Sequence, residues 1–234
     1  SLGVEYRQGE VARYVVEGGR ITGVALADGS RIACGTVVNA AGSHGARLAG
    51  TAGVAIPVAP KKRYVFTFTC KGEVDNCPLL IDTSGAYCRP EGKRGAEGQM
   101  FICGASPVDG QHDPDWDEKA ADVEDVDWSF FEETVWPALA HRIPAFEAIR
   151  PGRAWAGPYD MNGLDGNAIV GPAAGLPNLY LANGFSGHGL QQSPAVGRGL
   201  AEHIAHGRYL SLDLADLGHE RIVTGRPLRE ANII

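Results

Sequence analysis

The chain has 234 residues, 44% of them hydrophobic, and a formal net charge of -7. A chain of this kind buries enough apolar surface for one large or two small domains, and its acidic balance argues against nucleic acid as the main partner. No apolar run reaches the length of a membrane span and no signal peptide opens the chain, so we expect a soluble protein. The run of basic residues Lys61, Lys62 and Arg63 is typical of a solvated strand entry.

The cysteines and histidines lack the short paired spacings of zinc and redox motifs, so we predict no metal site. The number of cysteines, five, is odd. Three of them lie in apolar runs typical of strands, which favours buried, reduced thiols. The cysteines are Cys34, Cys70, Cys77, Cys88 and Cys103.

Three short strands are predicted near the start of the chain, at residues 11–16, 21–27 and 31–33. Glycine-containing turns separate them, so the strands form a meander. The next strand, at residues 36–38, runs into the small residues of the sequence Asn-Ala-Ala-Gly. Small side chains let the backbone approach a flat or phosphorylated ligand, but they also serve tight packing between helix and strand. The residues alone leave both interpretations open.

The middle of the chain is predicted to be mainly antiparallel sheet. Strand patterns recur between turns at residues 64–69, 78–81, 86–89, 99–104 and 153–159. Asp127 is the predicted N-cap of a helix over residues 128–135, and Pro137 starts or kinks the helical turn that follows. We therefore predict an α/β protein in which a domain of residues 57–165 is inserted between residues 1–56 and 166–234.

Residues 179–207 run from an apolar strand through a glycine-rich turn into a helix. Ser193 is the predicted N-cap of this helix and Pro194 its first residue. An apolar stripe is predicted at Val196, Leu200 and Ile204, and Gly207 is expected to end the helix. Free N–H groups at a helix start favour a phosphate, a carboxylate or an electron-rich ring that gains negative charge. A glycine turn also occurs for packing alone, so its shape leaves both interpretations open.

Two segments carry a resemblance to a known family. Residues 184–204 read GFSGHGLQQSPAVGRGLAEHI, and residues 36–42 read TVVNAAG. Both resemble the D-amino-acid-oxidase-like (DAO) family of FAD-dependent oxidoreductases, which includes sarcosine and glycine oxidases. The resemblance implies a partial Rossmann-like FAD-binding domain in residues 1–56 and 166–234, and a substrate-binding domain in residues 57–165.

The resemblance also implies which residues contact non-covalently bound FAD. Val11 matches the position whose backbone meets the adenine. The strand end that passes the nucleotide corresponds to Ala40, Ala41 and Gly42, and the turn against the flavin pyrimidine edge corresponds to Gly187, His188, Gly189, Leu190 and Gln191. The helix behind that turn stabilises the negative charge that reduction places there.

The dinucleotide fingerprint GxGxxG is absent from the sequence. We therefore expect a fragment that lacks an N-terminal half-domain and binds FAD weakly or not at all. A yellow chain with an oxidised flavin spectrum would contradict this expectation.

The implied reaction oxidises a carbon–nitrogen bond of an amino acid or secondary amine and passes a hydride equivalent to flavin. Tyr87 matches a tyrosine that faces the substrate, and Arg89 shares its strand face and is placed to hold a carboxylate. A surface pair is the alternative for these two residues. Tyr159, followed by Asp160, lines an altered substrate site, because the arginine or flavin-linked cysteine of relatives is absent there.

Two residues of the glycine turn bear on the chemistry. His188 has either an electrostatic role or a structural one as a loop residue. Gln191 stands where sarcosine-oxidase relatives place a lysine that assists reaction with dioxygen, and a neutral amide does not supply that charge. Gln191 therefore favours a dehydrogenase over an oxidase.

Further segments, among them KRYVFTFTC, IDTSGAYCRPEG and EANII, resemble a subgroup of mitochondrial FAD-dependent oxidoreductase domain proteins tied to assembly of respiratory complex I. This subgroup implies an alternative, a non-catalytic or redox-sensing assembly factor that retains the fold. A dinucleotide-binding reductase is a third hypothesis, which the lack of a second nucleotide fingerprint weakens. The implied partners are a small amine or amino acid and a protein electron acceptor or respiratory-chain partner. We expect a bacterial cytoplasmic protein, or a mitochondrial matrix protein if the source is eukaryotic.

Overall fold

A computed structural model describes residues 3–107, 113–118 and 122–228. The chain divides into two compact units. The first takes the described residues up to Ala59 and from Asp160 onward, and the second takes Pro60–Tyr159. Among the described residues, none of the helices combines the length and hydrophobicity needed to cross a bilayer.

The described strands, in chain order, are β1 (Val11–Glu17), β2 (Arg20–Leu26), β3 (Arg31–Ala33), β4 (Val37–Asn39), β5 (Val58–Cys70), β6 (Leu80–Ile81), β7 (Ala86–Gly95), β8 (Gly98–Ala105), β9 (Ile149–Asn162), β10 (Ile169–Ala173) and β11 (Leu176–Asn183). The described α-helices are α1 (Gly45–Gly50), α2 (Trp128–Phe130), α3 (Trp136–Arg142), α4 (Gly189–His206) and α5 (Glu220–Val223). A π-helical turn at Phe131–Val135 joins α2 to α3, and 3-10 turns occur at Gly42–His44, Pro144–Glu147 and Ala215–Leu217.

Two three-stranded sheets build the first unit. Strands β1, β2 and β3 form the predicted antiparallel meander. In the other sheet, β11 pairs antiparallel with β10 and parallel with β4, where Leu181 lies opposite Asn39. The Asn178 side chain joins β11 to β2, because its Nδ2 donates to the Ile21 carbonyl at 2.7 Å and its Oδ1 accepts the Ile21 N–H at 3.1 Å. Buried Leu179 packs with Ile21 in the shared core.

One five-stranded sheet, in the order β6-β7-β8-β5-β9, forms the second unit. Phe66 lies opposite Cys103, which lies opposite Cys88, and all three are buried in the core beneath the helices. Because side chains alternate along a strand, Tyr87 and its partner residue Gly104 belong to the opposite face. The helical residues of this core are Phe131, Val135, Leu139 and Phe146.

Several predicted elements are confirmed. The middle region is an antiparallel sheet, in which β5 pairs with β8 and β7 pairs with both β6 and β8. Asp127 caps α2, since its side chain accepts the Ser129 N–H at 2.9 Å. Gly207 ends α4 in the left-handed conformation with φ of 72°. Three of the cysteines are buried, whereas Cys34 and Cys77 are partly exposed and all five are free.

The predicted start of the long C-terminal helix is wrong. Helix α4 begins at Gly189, one turn before the expected N-cap, so Ser193 and Pro194 lie inside it. Pro194 lacks an N–H, which leaves the Leu190 carbonyl without its usual helical donor, and the Ser193 hydroxyl donates to that carbonyl at 3.0 Å instead. The apolar stripe is shorter than predicted as well, because Ile204 is exposed.

Candidate functional site

The carboxyl ends of β4 and β11 meet at two asparagines. Asn183 Nδ2 donates to Asn39 Oδ1 at 3.3 Å, and Asn39 Nδ2 donates to the Gly45 carbonyl at 2.9 Å. A Cβ on Gly45 would lie 2.1 Å from Asn183 Nδ2, so this close approach requires glycine. Asn183 Oδ1 is buried and has no hydrogen-bond partner within the described residues. A buried polar acceptor is therefore left unpaired at the carboxyl ends of the strands, which is where α/β folds bind ligands.

The turn after β11 is held by the end of β9. The Asp160 carboxylate accepts the Gly184 and Phe185 N–H groups at 2.8 and 3.2 Å, and its backbone carbonyl accepts the Ser186 N–H at 3.2 Å. Burial raises the pKa of Asp160, although the two N–H bonds oppose the shift. Gly184 and Ser186 have φ angles of 70° and 51°, which turn the chain sharply toward α4.

Helix α4 starts without a side-chain cap. His188 occupies the N-cap position and makes no capping hydrogen bond. The first N–H groups of a helix have no helical acceptor, so those of Gly189, Leu190 and Gln191 point away from the helix at its positive end. The corrected helix start thus gives the free donors to the residues that the resemblance assigns to the flavin.

A cavity of about 610 Å³ lies beside β1 and β4. It brings together Val11, Ala40 and Ala41, three of the predicted nucleotide contacts, and Gly42 follows with φ of 52°. Most of the lining side chains are small or apolar, which suits a flat heteroaromatic ring. The unpaired acceptor on Asn183, the uncapped helix and this cavity fit the requirements of FAD.

The second unit places Tyr87 and Tyr159 next to each other. The pKa of Tyr87 is raised, first by burial and then by the neighbouring Tyr159 hydroxyl. Gly104 leaves room for the Tyr87 hydroxyl, because a Cβ on residue 104 would lie 2.7 Å from it. Arg89 is half-exposed and paired with Glu91. The structure therefore brings the two tyrosines together and gives Arg89 a different partner.

Of the three basic residues at the start of β5, Arg63 is buried, contrary to the sequence prediction, whereas Lys61 and Lys62 are partly exposed. Arg63 Nη1 pairs with Asp113 at 2.6 Å and its side chain is 7% exposed. Lys61 and Lys62 pair with Asp115 and Asp125 at 2.7 and 2.6 Å. Asp113, Asp115 and Asp125 supply the carboxylate partners of the three basic residues.

Arg63 also lies beside a predicted site residue, with its Cζ atom 5.9 Å from the centre of the Tyr159 ring. Sequence reasoning missed this residue. The available signal was the acidic run that follows β8, which offers carboxylates to match the three adjacent bases.

Comparisons with known proteins identify the family. The family model "FAD dependent oxidoreductase" (DAO) matches residues 1–203. "FAD-dependent oxidoreductase domain-containing protein 1" from Xenopus laevis is 44% identical over 215 residues, covering 87% of this chain and 41% of that protein. The Bos taurus protein of the same name is 38% identical over 264 residues, covering 100% of this chain and 52% of that protein.

A solved structure is similar as well. The L-proline dehydrogenase from P. horikoshii superposes with a TM-score of 0.74 at 27% identity, covering 93% of this chain and 55% of that one. The chain spans about half the length of the relatives it matches. The family predicted from residues 36–42 and 184–204 is confirmed: the chain belongs to the DAO family of FAD dependent oxidoreductases, whose cofactor is FAD.

Proposed function

We propose that this chain is part of a dehydrogenase that oxidises the carbon–nitrogen bond of an amino acid or secondary amine. The observation that carries the proposal is the uncapped start of α4, preceded by a turn that Asp160 holds in place. Bound FAD supplies the two-electron acceptor for this reaction. The cofactor contacts proposed in this chain are Val11, Ala40, Ala41, Gly42 and Gly187 through Gln191.

The first turn of α4 provides charge stabilisation. Its N–H groups and the positive end of the helix dipole favour negative charge on a bound ring. His188, at the N-cap, precedes these donors. Gln191 contributes a neutral amide there, which supports transfer of electrons to an acceptor other than dioxygen. The relatives carry both kinds of name, an L-proline dehydrogenase as well as glycine and 4-methylaminobutanoate oxidases, so the proposal of a dehydrogenase rests on Gln191.

Two tyrosines are proposed to bind the substrate. Tyr87 is protonated at neutral pH, as an ordinary tyrosine is, and its raised pKa keeps it protonated, so its hydroxyl can donate a hydrogen bond. Tyr159 lies next to it and shares its environment. Arg89, the carboxylate contact predicted from the sequence, has its charge balanced by Glu91. The electron acceptor is proposed to be a protein, such as a respiratory-chain partner.

Anaerobic mixing with candidate donors tests this function. The protein, with saturating FAD, is mixed with N-methylated and free amino acids, and the oxidised flavin absorption is followed. Loss of this absorption with at least one donor is expected. Tyr87→Phe is expected to slow the loss, whereas Tyr6→Phe, at a side chain 93% exposed, serves as the matched control. An unchanged spectrum with every donor would support the assembly-factor alternative.

A further inference from the structure

We propose that Arg63 binds the carboxylate of the substrate, so that this site selects amino acids over simple amines. The inference rests on the proposed function and deepens it by naming the group that sets its specificity. It assigns the carboxylate to a residue on β5 instead of Arg89 on β7.

The hydrogen bonds of Arg63 leave one edge of its guanidinium without a partner among the described residues. Nη1 donates to Asp113 Oδ1 at 2.6 Å and to the Lys62 carbonyl at 2.9 Å. Nε is buried without a partner, and Nη2 makes no hydrogen bond within the described residues. Nε and Nη2 form one side of the planar guanidinium, and their N–H groups match the two oxygens of a carboxylate.

The unpaired edge of the guanidinium is held in place by the bonds at Nη1. The bonds through Nη1 fix the orientation of the guanidinium, so little side-chain freedom is lost when a ligand binds. Buried donors in folded proteins nearly always have partners, and an unpaired one calls for an explanation. A bound carboxylate supplies the missing acceptors.

Strand geometry places Arg63 with the two tyrosines. The ring of Tyr64 packs against Phe66 and Phe130 on the helix-covered side of the sheet. Alternation along β5 therefore directs Arg63 to the other face, to which Tyr87 also belongs. Tyr159 neighbours both side chains, since its ring centre lies 5.9 Å from Arg63 Cζ and its hydroxyl interacts with that of Tyr87.

Arg89 is a weaker candidate for this role. Its side chain is 48% exposed and paired with Glu91. Both arginines have a carboxylate partner at Nη1, but solvent screens the more exposed charge of Arg89. Arg63, at 7% exposure, presents its charge where screening is smaller.

L-proline and pyrrolidine form a matched pair of probes, because both are cyclic secondary amines and pyrrolidine lacks the carboxylate. Calorimetric titration of the chain with each probe measures binding without any need for flavin reduction. We expect L-proline to bind at least about tenfold more tightly than pyrrolidine. The NMR signal of the Arg63 Nε–H group is expected to shift with L-proline alone.

Three variants assign the preference to a residue. Arg63→Gln is expected to abolish the preference for L-proline, and Arg63→Lys to reduce it strongly, because lysine keeps the charge that pairs with Asp113 but lacks the planar fork. Arg150→Gln, at an exposed arginine of β9, should retain the full preference. Circular dichroism and thermal unfolding check that each variant folds.

The outcomes separate this inference from the proposed function. Retention of the preference in Arg63→Gln, its loss in Arg89→Gln instead, or the absence of any L-proline binding and Nε shift would each overturn the role of Arg63. Failure of every donor to reduce flavin would overturn the proposed function. The preference for L-proline over pyrrolidine is measured by binding alone, so it does not depend on that result.

Discussion

The Asp160 carboxylate accepts the Gly184 N–H at 2.8 Å and thereby ties the end of β9 to the turn that leads into α4. The same oxygen accepts the Phe185 N–H at 3.2 Å. One half-buried carboxylate therefore sets the position of the turn from which the free N–H groups of the helix start project.

Replacement of Asp160 with alanine should destabilise the fold. Two part-buried N–H groups would lose their acceptor, at a cost of up to about 1–3 kcal/mol for each unsatisfied donor. Urea unfolding of Asp160→Ala and Asp160→Asn measures the effect, and the asparagine variant, which keeps an acceptor oxygen, should lose less. Equal stability of Asp160→Ala and the unaltered chain would contradict this role.

The same carboxyl group should make stability depend on pH. Its folded pKa is raised above the ordinary value of 3.8, so the folded state binds the proton more tightly. The stability it contributes is fully present below its unfolded pKa and is lost as the pH rises through the raised folded value. Unfolding measured across this range should show that decline in the unaltered chain and a smaller decline in Asp160→Asn.

For the buried carboxylate of Asp165, stability changes with pH in the opposite direction. Burial opposes ionisation of Asp165, but hydrogen bonds from Arg221 and from the Leu228 and Asn167 backbones outweigh it and lower the pKa. Arg221 Nε and Nη2 lie 2.8 and 3.2 Å from its two oxygens. The stability from Asp165 is therefore present above pH 3.8 and is lost as the pH falls through the lowered folded pKa.

Removal of Arg221 should leave Asp165 buried and unpaired. Arg221→Met is expected to lose about 3–5 kcal/mol of unfolding free energy at neutral pH. Arg221→Met combined with Asp165→Asn should recover part of the loss, because the uncompensated charge is gone. A single variant as stable as the unaltered chain would show that the pair does not stabilise the fold.

Local patterns predicted the elements, whereas long-range contacts decided the details of the site. Hydrophobic alternation and turn glycines gave the meander and the antiparallel sheet. The helix start was misplaced because Ser193 followed by Pro194 matches a capping pattern, and sequence does not show that the chain already turns at Ser186. The burial of Arg63 depends on Asp113, fifty residues away, a contact that no local pattern reports.

Gly45 offers a test of the strand-edge geometry. In Gly45→Ala the new methyl would meet Asn183 Nδ2 at 2.1 Å and displace the Asn183–Asn39 bond, so we expect a loss of about 1–3 kcal/mol in stability. Gly50→Ala is the matched control in the same helix, since open space surrounds that position. Comparable unfolding midpoints for the two variants would argue against the close approach.

Gln191→Lys tests the choice of electron acceptor. A lysine in the first turn of α4 adds the positive charge that the neutral amide lacks. After anaerobic reduction of FAD-loaded protein, admission of air should reoxidise the flavin slowly in the unaltered chain and faster in the variant. Fast reoxidation without the lysine would contradict the dehydrogenase assignment.

The central claim is that the strand ends and the start of α4 form a flavin site. Backbone amide NMR signals recorded during titration with FAD test it most directly and detect weak binding. We expect saturable shifts concentrated at residues 187–191, at Asn183, and at Val11, Ala40 and Ala41. An absence of shifts at millimolar FAD, or shifts confined to residues outside these segments, would contradict the account.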